Sequence, residues 1–240
     1  MVTTLQLQAQ VPIADTVIHM LHHNVSLNIV CKTKSTVTSK NRISIVCVKA
    51  ANVSFNEALA AFVANDSIVN TIIVDVAIND NTILNKSHFV IIDSLLNKAL
   101  SVLLNNQHTI NIAQPIILIG LNDMAAIVLL QAAHHPTIFN KSMLWFNHQS
   151  YLGFVEDFDI SLYKQLKGKL FVYNVATAAT AATAANINAA IDTVALHSKL
   201  VIYNLNDYGK NYPSQKVLQQ ATNWLLANGN NYIIRPLVTF

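Results

Sequence analysis

Hydrophobic and polar positions along this chain follow patterns that predict strands and helices in turn. Residues 25–32 and 43–49 are rich in β-branched and apolar side chains, and the polar stretch 33–42 between them is typical of a hairpin-like connection. Apolar residues at helical spacing predict a helix over residues 55–64, and the continuous β-branched run 71–78 predicts a strand buried on both faces. The chain therefore begins with β structure and continues as a strand, helix, strand unit.

The same periodicities predict elements in the rest of the chain. They indicate a helix over residues 88–104, a strand over 115–119, a turn over 120–124 and a helix over 125–134. Three further strands are predicted at 142–146, 169–175 and 199–205, with a closing amphipathic helix at 213–227, while the repetitive stretch 176–185 indicates a loop or a poorly specified helix. Because strands alternate with helices, the sequence predicts an α/β fold with a doubly wound, mainly parallel sheet, in a single domain over residues 1–240.

The composition changes the expected character of the surface. Hydrophobic residues make up 52% of the chain and charged residues only 11%, less than half of the roughly one quarter that is usual in globular domains. The formal net charge of +3 includes no dense basic run, so the sequence argues against a nucleic-acid partner. Two explanations fit such sparse charge, and both can hold. Other protein subunits cover part of the surface, or amides carry it, since the chain has 27 Asn and 11 Gln.

Glycine is scarce, with five residues in 240, so turns that need a positive φ are expected to use Asn. An AT-rich genome raises Asn but also Lys, of which there are only 13, so an engineered or imperfectly assigned sequence also fits this composition. Only Cys31 and Cys47 are present, which excludes a disulfide scaffold and weakly favours a reducing compartment. No apolar run is long enough to predict a membrane span, and we expect no secretory leader.

In a parallel sheet the reactive groups gather beyond the carboxyl ends of the strands, and the turn after Ile119 is the most informative. Residues 115–146 read PIILIGLNDMAAIVLLQAAHHPTIFNKSMLWF. This stretch resembles the esterase family of α/β-hydrolases that includes esterase D and the enterochelin esterases, whose members place a Gly-x-Ser-x-Gly elbow after such a strand and a His-Pro after the elbow helix. The resemblance covers nearly the whole chain, with residues 25–49 as the family's opening pair, and implies an α/β-hydrolase-like sheet with an antiparallel N-terminal strand pair.

The resemblance does not extend to the catalytic residues. Gly120 matches the first glycine of the elbow, but Asn122 stands at the nucleophile position and Met124 at the second glycine. An amide nitrogen is not an activated nucleophile, so acyl-enzyme chemistry is not expected at this turn. By the same resemblance, Ala176 stands where the triad acid would lie and Tyr208 near the histidine position. All three triad positions, Asn122, Ala176 and Tyr208, are therefore vestigial.

Other candidates for binding are weaker. Lys49, Asn122, Asp123 and Tyr208 could line a vestigial pocket, with Lys49 at the turn where the family contributes an oxyanion-hole amide and could hold an anion. Because Asn and Asp are ordinary turn residues, a purely structural role is the favoured interpretation for Asn122, Asp123 and Tyr208, and a solvated side chain is the favoured interpretation for Lys49.

The histidines do not indicate a metal site. His22 and His23, and likewise His134 and His135, are adjacent in the sequence. Neighbouring side chains on a helix diverge by about 100° and those on a strand point to opposite faces, so neither pair is expected to share a metal. We therefore expect neither a metal nor an organic cofactor.

Two functions fit these observations. The first is a catalytically inactive esterase-like domain that acts as a structural or binding subunit of a larger assembly, with the apolar, β-prone stretch 232–240 among its contact surfaces. The alternative is an active serine-type carboxylic ester hydrolase of the same family, whose working residues lie elsewhere or are not reported by these letters. A dinucleotide-binding fold is excluded because the sequence contains no Gly-x-Gly-x-x-Gly.

Overall fold

The computed structural model describes residues 6–8, 16–33, 43–54, 68–79, 85–105, 116–146, 166, 170–175, 199–203, 221 and 223–224. The strands are β1 Gln6–Gln8, β2 Thr16–His22, β3 Val25–Thr33, β4 Ile43–Ala50, β5 Ile68–Ile78, β6 Ile116–Leu121, β7 Phe139–Phe146, β8 Leu170–Val175 and β9 Lys199–Tyr203. The helices with described bounds are α1 Lys86–Asn105 and α2 Met124–His134. The predicted helices 55–64 and 213–227, the repetitive stretch 176–185 and the tail 232–240 lie wholly or mostly outside the described residues.

The described strands form one sheet in the order β1-β2-β3-β5-β4-β6-β7-β8-β9. The first three pairs in this order, β1 with β2, β2 with β3 and β3 with β5, are antiparallel. All the following pairs, from β5 with β4 to β8 with β9, are parallel. Strand β6 lies between β4 and β7 and is parallel to both. These pairings confirm the predicted mainly parallel sheet with antiparallel N-terminal strands, and they confirm that the strand predicted at 115–119 is central.

The predicted hairpin between β3 and β4 is wrong. These two strands are not neighbours, because β5 lies between them and pairs antiparallel with β3 and parallel with β4. The antiparallel N-terminal pair is instead β2 with β3, joined at His23 and Asn24, where His22 pairs with Val25. His23 adopts a φ of 53°, so this tight turn is made without the glycine that usually identifies a hairpin in a sequence.

Helical residues pack on both faces of the sheet. One face packs against α1 and α2 and includes Val46, Val74 and Leu118. On the opposite face, the Lys141 ammonium of β7 donates to the main-chain carbonyl of Trp224 and lies 5.0 Å from the centre of its ring. Lys141 is the neighbour of Ile117 on β6, so the two side chains point to the same face of the sheet. This face is opposite to that of Leu118, because successive side chains on a strand point to opposite faces. The sheet is therefore doubly wound, as predicted.

The two helices differ in amphipathicity. In α1 the predicted apolar face is buried, and the Asn85 side chain accepts the main-chain N–H of His88 at 3.1 Å, so the helix begins two residues before the predicted start. In α2 every residue from Met124 to Ala133 is buried, because all of them except Gln131 are apolar and the apolar residues lie on all sides of the helix. Neither helix is long and apolar enough to cross a membrane, within the part of the chain that the structure describes.

Candidate functional site

The turn after β6 is a sharp elbow between a central strand and a buried helix. Asn122 has a φ of 54°, in the left-handed region that Asn tolerates better than most residues. Its main-chain N–H donates to the carbonyl of Trp145 on β7 at 2.6 Å, and its own carbonyl accepts the N–H of Ala125 in α2 at 3.0 Å. The elbow is thus held by the neighbouring strand on one side and by the helix on the other.

Gly120 allows α2 to approach β6 closely. A Cβ atom at this position would lie 2.7 Å from the Cα of Ala125 and 2.7 Å from the Cβ of Val128. Carbon atoms in contact are normally about 3.5–4.0 Å apart, so any side chain here would push the helix from the strand. Gly120 is therefore needed by the geometry of the elbow, which explains why one of only five glycines occurs here.

A cavity of about 320 Å³ opens beside the elbow, at the carboxyl ends of β4 and β5. Its walls are mostly apolar, with one carboxylate and one primary amide; the lining residues are Ala50, Ala51, Asn52, Val76, Ala77, Ile78, Asp123 and Met124. The half-buried Asp123 lies at this cavity together with Asn52, which sequence reasoning missed, and Met124, which it placed only at the second glycine position of the elbow. Asn52 lies two residues after the end of β4 at this edge, which is the signal that could have identified it.

The structure describes only some of the residues predicted for the site. Asn122 lies half-buried at the elbow. The other two vestigial triad positions, Ala176 and Tyr208, lie outside the described residues. An Asn amide at the elbow can accept and donate hydrogen bonds, but it offers no oxygen or sulfur nucleophile.

The expected place and environment of Lys49 are wrong. Lys49 lies within β4 rather than in the turn, and its side chain is only 9% exposed. Its ammonium lies 2.6 Å from a carboxylate oxygen of Asp75, the residue opposite it on β5. The charge is therefore neither solvated nor available as the main anion-binding group of the cavity, because Asp75 already neutralises it.

A second polar cluster lies between α1 and α2. Gln131 donates from its amide to Asp93 at 2.6 Å, and Asn97 donates to the other carboxylate oxygen at 3.3 Å. The ring of His135 is hydrogen-bonded through Nε2 to the side-chain Oδ1 of Asn97 at 2.9 Å. Burial raises the pKa of Asp93 and lowers the pKa of His135. Sequence analysis missed this cluster. Its signal is that Asp93 and Asn97 are four residues apart, as are Gln131 and His135, so each pair lies on one side of its helix.

One of the two histidine pairs differs from the expected geometry. The ring centroids of His22 and His23 are only 4.3 Å apart, and His23 has a positive φ of 53°. The rings of His134 and His135 are 6.5 Å apart. Within the described ranges, no three potential metal-ligating side chains come together.

The cysteines are buried on different strands. Cys31 lies on β3 and Cys47 on β4, and both carry free thiols. Burial raises the pKa of Cys47 to about 12, and the nearby Lys49 ammonium only partly opposes that effect. Cys47 is therefore a protonated thiol near neutral pH and a poor nucleophile.

No family model and no curated protein matches this chain. Solved structures match it over most of its length. Acetyl xylan esterase 1 from Thermoanaerobacterium sp. is 14% identical, with a TM-score of 0.56 over 93% of this chain and 87% of its own. A dienelactone hydrolase from Anabaena variabilis is 14% identical, with a TM-score of 0.53 over 93% and 97%. An α/β serine hydrolase homologue from Coxiella burnetii is 11% identical, with a TM-score of 0.57 over 90% and 98%.

Identities this low establish the fold and nothing finer. The likeness extends over whole domains and agrees with the mainly parallel sheet, the antiparallel N-terminal strands and the elbow between β6 and α2. This chain has the α/β-hydrolase fold.

Proposed function

We propose that this chain is a catalytically inactive α/β-hydrolase domain, derived from the esterase D and enterochelin-esterase type, that acts as a structural or binding subunit of a larger assembly. The proposal rests mainly on the amide side chain of Asn122 at the elbow. Asn122 occupies the elbow after β6, with the left-handed φ of 54° and the strand and helix contacts that define this turn, but its side chain is an amide. Serine-type hydrolysis needs a hydroxyl at this point, because the acyl group is transferred to it.

The surroundings of the elbow support this reading. None of the eight described residues that line the cavity carries a hydroxyl or a thiol. Strand β4, whose end lines the cavity, contains Cys47, but this thiol is fully buried and its pKa is raised to about 12, so it cannot replace the missing hydroxyl. Asp123 also places a carboxylate beside the N-terminus of α2, where a hydrolase would stabilise an oxyanion, and a second negative charge there would oppose that stabilisation.

The assembly part of the proposal rests on the sparse charge of the chain. Only 11% of the residues are charged, and the net charge is +3, so electrostatic repulsion between molecules is weak. For a domain with so few charges, the free energy of association with another macromolecule is more favourable, since little charge has to be desolvated when the contact forms.

The alternative, an active serine-type carboxylic ester hydrolase, is favoured by one observation: the cavity of about 320 Å³ lies at the elbow and is large enough for a small ester. In that case the working hydroxyl would come from another part of the chain. The two functions predict opposite results with a serine-reactive probe.

The test is covalent labelling of the purified full chain with a fluorophosphonate, with turnover of p-nitrophenyl acetate measured in parallel. We expect no stoichiometric labelling and no burst of p-nitrophenol. The variant Asn122→Ser is the matched comparison: it restores the hydroxyl but not the acid or the histidine, so it should also fail to turn over. Stoichiometric labelling of the unmodified chain would overturn the proposal and support the alternative.

A further inference from the structure

The cavity beside the elbow has an apolar floor and a polar rim. Val76 and Met124, which line it, are only 3% and 2% exposed, and the half-buried Ile78 extends the same apolar surface. The polar side chains among the described lining residues lie nearer to solvent, since Asn52 is exposed and Asp123 is half-buried. A ligand that fits these walls has an apolar body and one polar end.

Asp123 lines the cavity and does not cap the helix that follows it. It directly precedes α2, at the position where an Asp side chain usually accepts a hydrogen bond from the first helical turn. The side chain of Asp123 makes no such capping bond. Its carboxylate belongs instead to the groups that line the cavity. The ordinary structural role of an Asp before a helix therefore does not account for this carboxylate.

The charge at the rim is negative. The N-terminus of a helix acts as roughly half a positive charge, whereas an ionised carboxylate carries a full negative one, so Asp123 outweighs the dipole of α2. Lys49 on the adjacent β4 does not compensate it, because its ammonium lies 2.6 Å from Asp75. The described lining residues include no Lys, Arg or His. The rim therefore attracts cations and repels carboxylates and phosphates.

The acceptor atoms at the rim fit an ammonium group. A carboxylate has about four positions at which it accepts hydrogen bonds, so Asp123 can accept from a ligand in addition to donors of its own chain. The Asn52 side chain adds an amide oxygen to the lining. An ammonium group has three N–H donors and matches such acceptors. A metal ion fits less well, because it takes about four or more ligands and the apolar walls supply none.

The volume of the cavity sets the size of the ligand. A water molecule occupies about 30 Å³ in the liquid, so 320 Å³ corresponds to about ten atoms other than hydrogen. This volume is at the lower end of the range for ligand pockets. With one nitrogen at the rim, the apolar body of the ligand has about eight or nine carbon atoms.

We infer that the cavity at the elbow binds a small primary amine in its protonated form. The ammonium group lies at Asp123 and the apolar body lies on Val76, Ile78 and Met124. The inference rests on the proposed function, because it gives a binding role to a cavity that has lost its nucleophile. A ligand of about ten atoms with one ion pair near solvent gains limited free energy, so we expect a dissociation constant of about 0.1–1 mM.

The test is an NMR titration of the full chain with three probes of similar shape: phenethylammonium, the neutral phenethyl alcohol and the anionic hydrocinnamate. We expect the ammonium to bind most tightly, at least about tenfold more tightly than the carboxylate. Added salt should weaken binding of the ammonium and leave binding of the alcohol unchanged, because only the ammonium pairs with a charge. These comparisons use the unmodified chain, so they do not depend on whether a variant folds.

A variant then assigns the binding to Asp123. Asp123→Asn keeps the shape of the side chain and removes its charge, so it should lower the affinity for phenethylammonium at least about fivefold and leave that for phenethyl alcohol unchanged. Asp93→Asn is the matched control, because it makes the same change in the cluster between α1 and α2 and should leave all three affinities unchanged.

Three results contradict the inference: no binding of the ammonium at millimolar concentration, equal affinities for ammonium and carboxylate, or an ammonium affinity that Asp123→Asn does not change. Fluorophosphonate labelling reports separately on catalysis. A chain that is not labelled and binds no amine keeps the proposed loss of catalysis and loses the amine site. A chain that is labelled and binds the amine loses the first and keeps the second.

Discussion

Replacing Gly120 by alanine tests whether the elbow depends on the close approach of α2 to β6. The new Cβ would lie 2.7 Å from the Ala125 Cα, 2.7 Å from the Val128 Cβ and 2.8 Å from the Val128 Cγ2. Each distance is about 1 Å shorter than a normal carbon contact, and one of the atoms belongs to the main chain of the helix, so rotation of a side chain cannot relieve the overlap.

The expected cost follows from these contacts. Overpacking a buried site usually costs about 1–3 kcal/mol. The substitution also removes freedom from the unfolded chain, which offsets about 0.4–1 kcal/mol. We expect Gly120→Ala to lower the free energy of unfolding by about 1–2 kcal/mol, which corresponds to a fall in Tm of about 2–8 °C for a chain of this size. Gly120→Val should cost more, because it adds two further methyl groups to the same contacts.

The assay is equilibrium unfolding in urea, followed by far-UV circular dichroism and by tryptophan fluorescence. Ser54→Thr serves as the control, since it adds a methyl group at an exposed position near the same edge and should stay within about 0.5 kcal/mol of the parent. A Gly120→Ala variant as stable as the parent chain would refute the argument that the strand and helix are in forced contact here.

Four further predictions concern buried or partly buried ionisable groups. Because burial raises the pKa of Asp93, this carboxylate binds a proton at a higher pH in the folded chain than in the unfolded chain. The parent should therefore gain stability relative to Asp93→Asn as pH falls from 7 towards 4. Burial lowers the pKa of His135, so the parent should lose stability relative to His135→Gln as pH falls below 6.5. Urea unfolding across this pH range measures the stability differences for Asp93→Asn and His135→Gln. A difference that does not change with pH would contradict the corresponding prediction. Cys47, whose pKa is raised to about 12, should resist maleimide at pH 8 until the chain is unfolded, as mass spectrometry of the labelled peptides can show. Asp75→Asn should cost about 1–3 kcal/mol in thermal or urea unfolding, because it leaves the buried ammonium of Lys49 without its carboxylate, and combining it with Lys49→Met should recover part of that loss.

The local elements were predictable where one periodicity dominates. The apolar spacing in α1 and the unbroken apolar run of β6 gave bounds within two residues of those observed. Strand β2 was missed, although it alternates between buried and exposed residues, because its turn to β3 uses His23 and Asn24 in place of glycine. A sequence pattern shows which residues share a face, but the chemistry of a turn determines where the chain reverses.

Long-range contacts account for the remaining errors. The polar stretch after β3 has the composition of a hairpin, yet β5 takes the neighbouring place, and composition alone does not specify which strand comes next. The environment of Lys49 depends on Asp75, which is 26 residues away in the chain and becomes its neighbour only through the pairing of β4 with β5. For the site, the elbow and Asp123 were accessible from local sequence, whereas the cavity required the strand order.

The almost wholly apolar helix α2 affects how this chain folds during synthesis. Helix α2 contacts β6 and β7, and β7 follows it in the sequence, so during synthesis residues 124–133 emerge before one of the two strands that cover them. Until β7 emerges, these ten residues, of which only Gln131 is polar, are exposed to solvent in a chain that carries little repulsive charge. We expect newly made chains to depend on a chaperone that holds this segment, and refolding from denaturant to fail first by aggregation through it as the protein concentration rises.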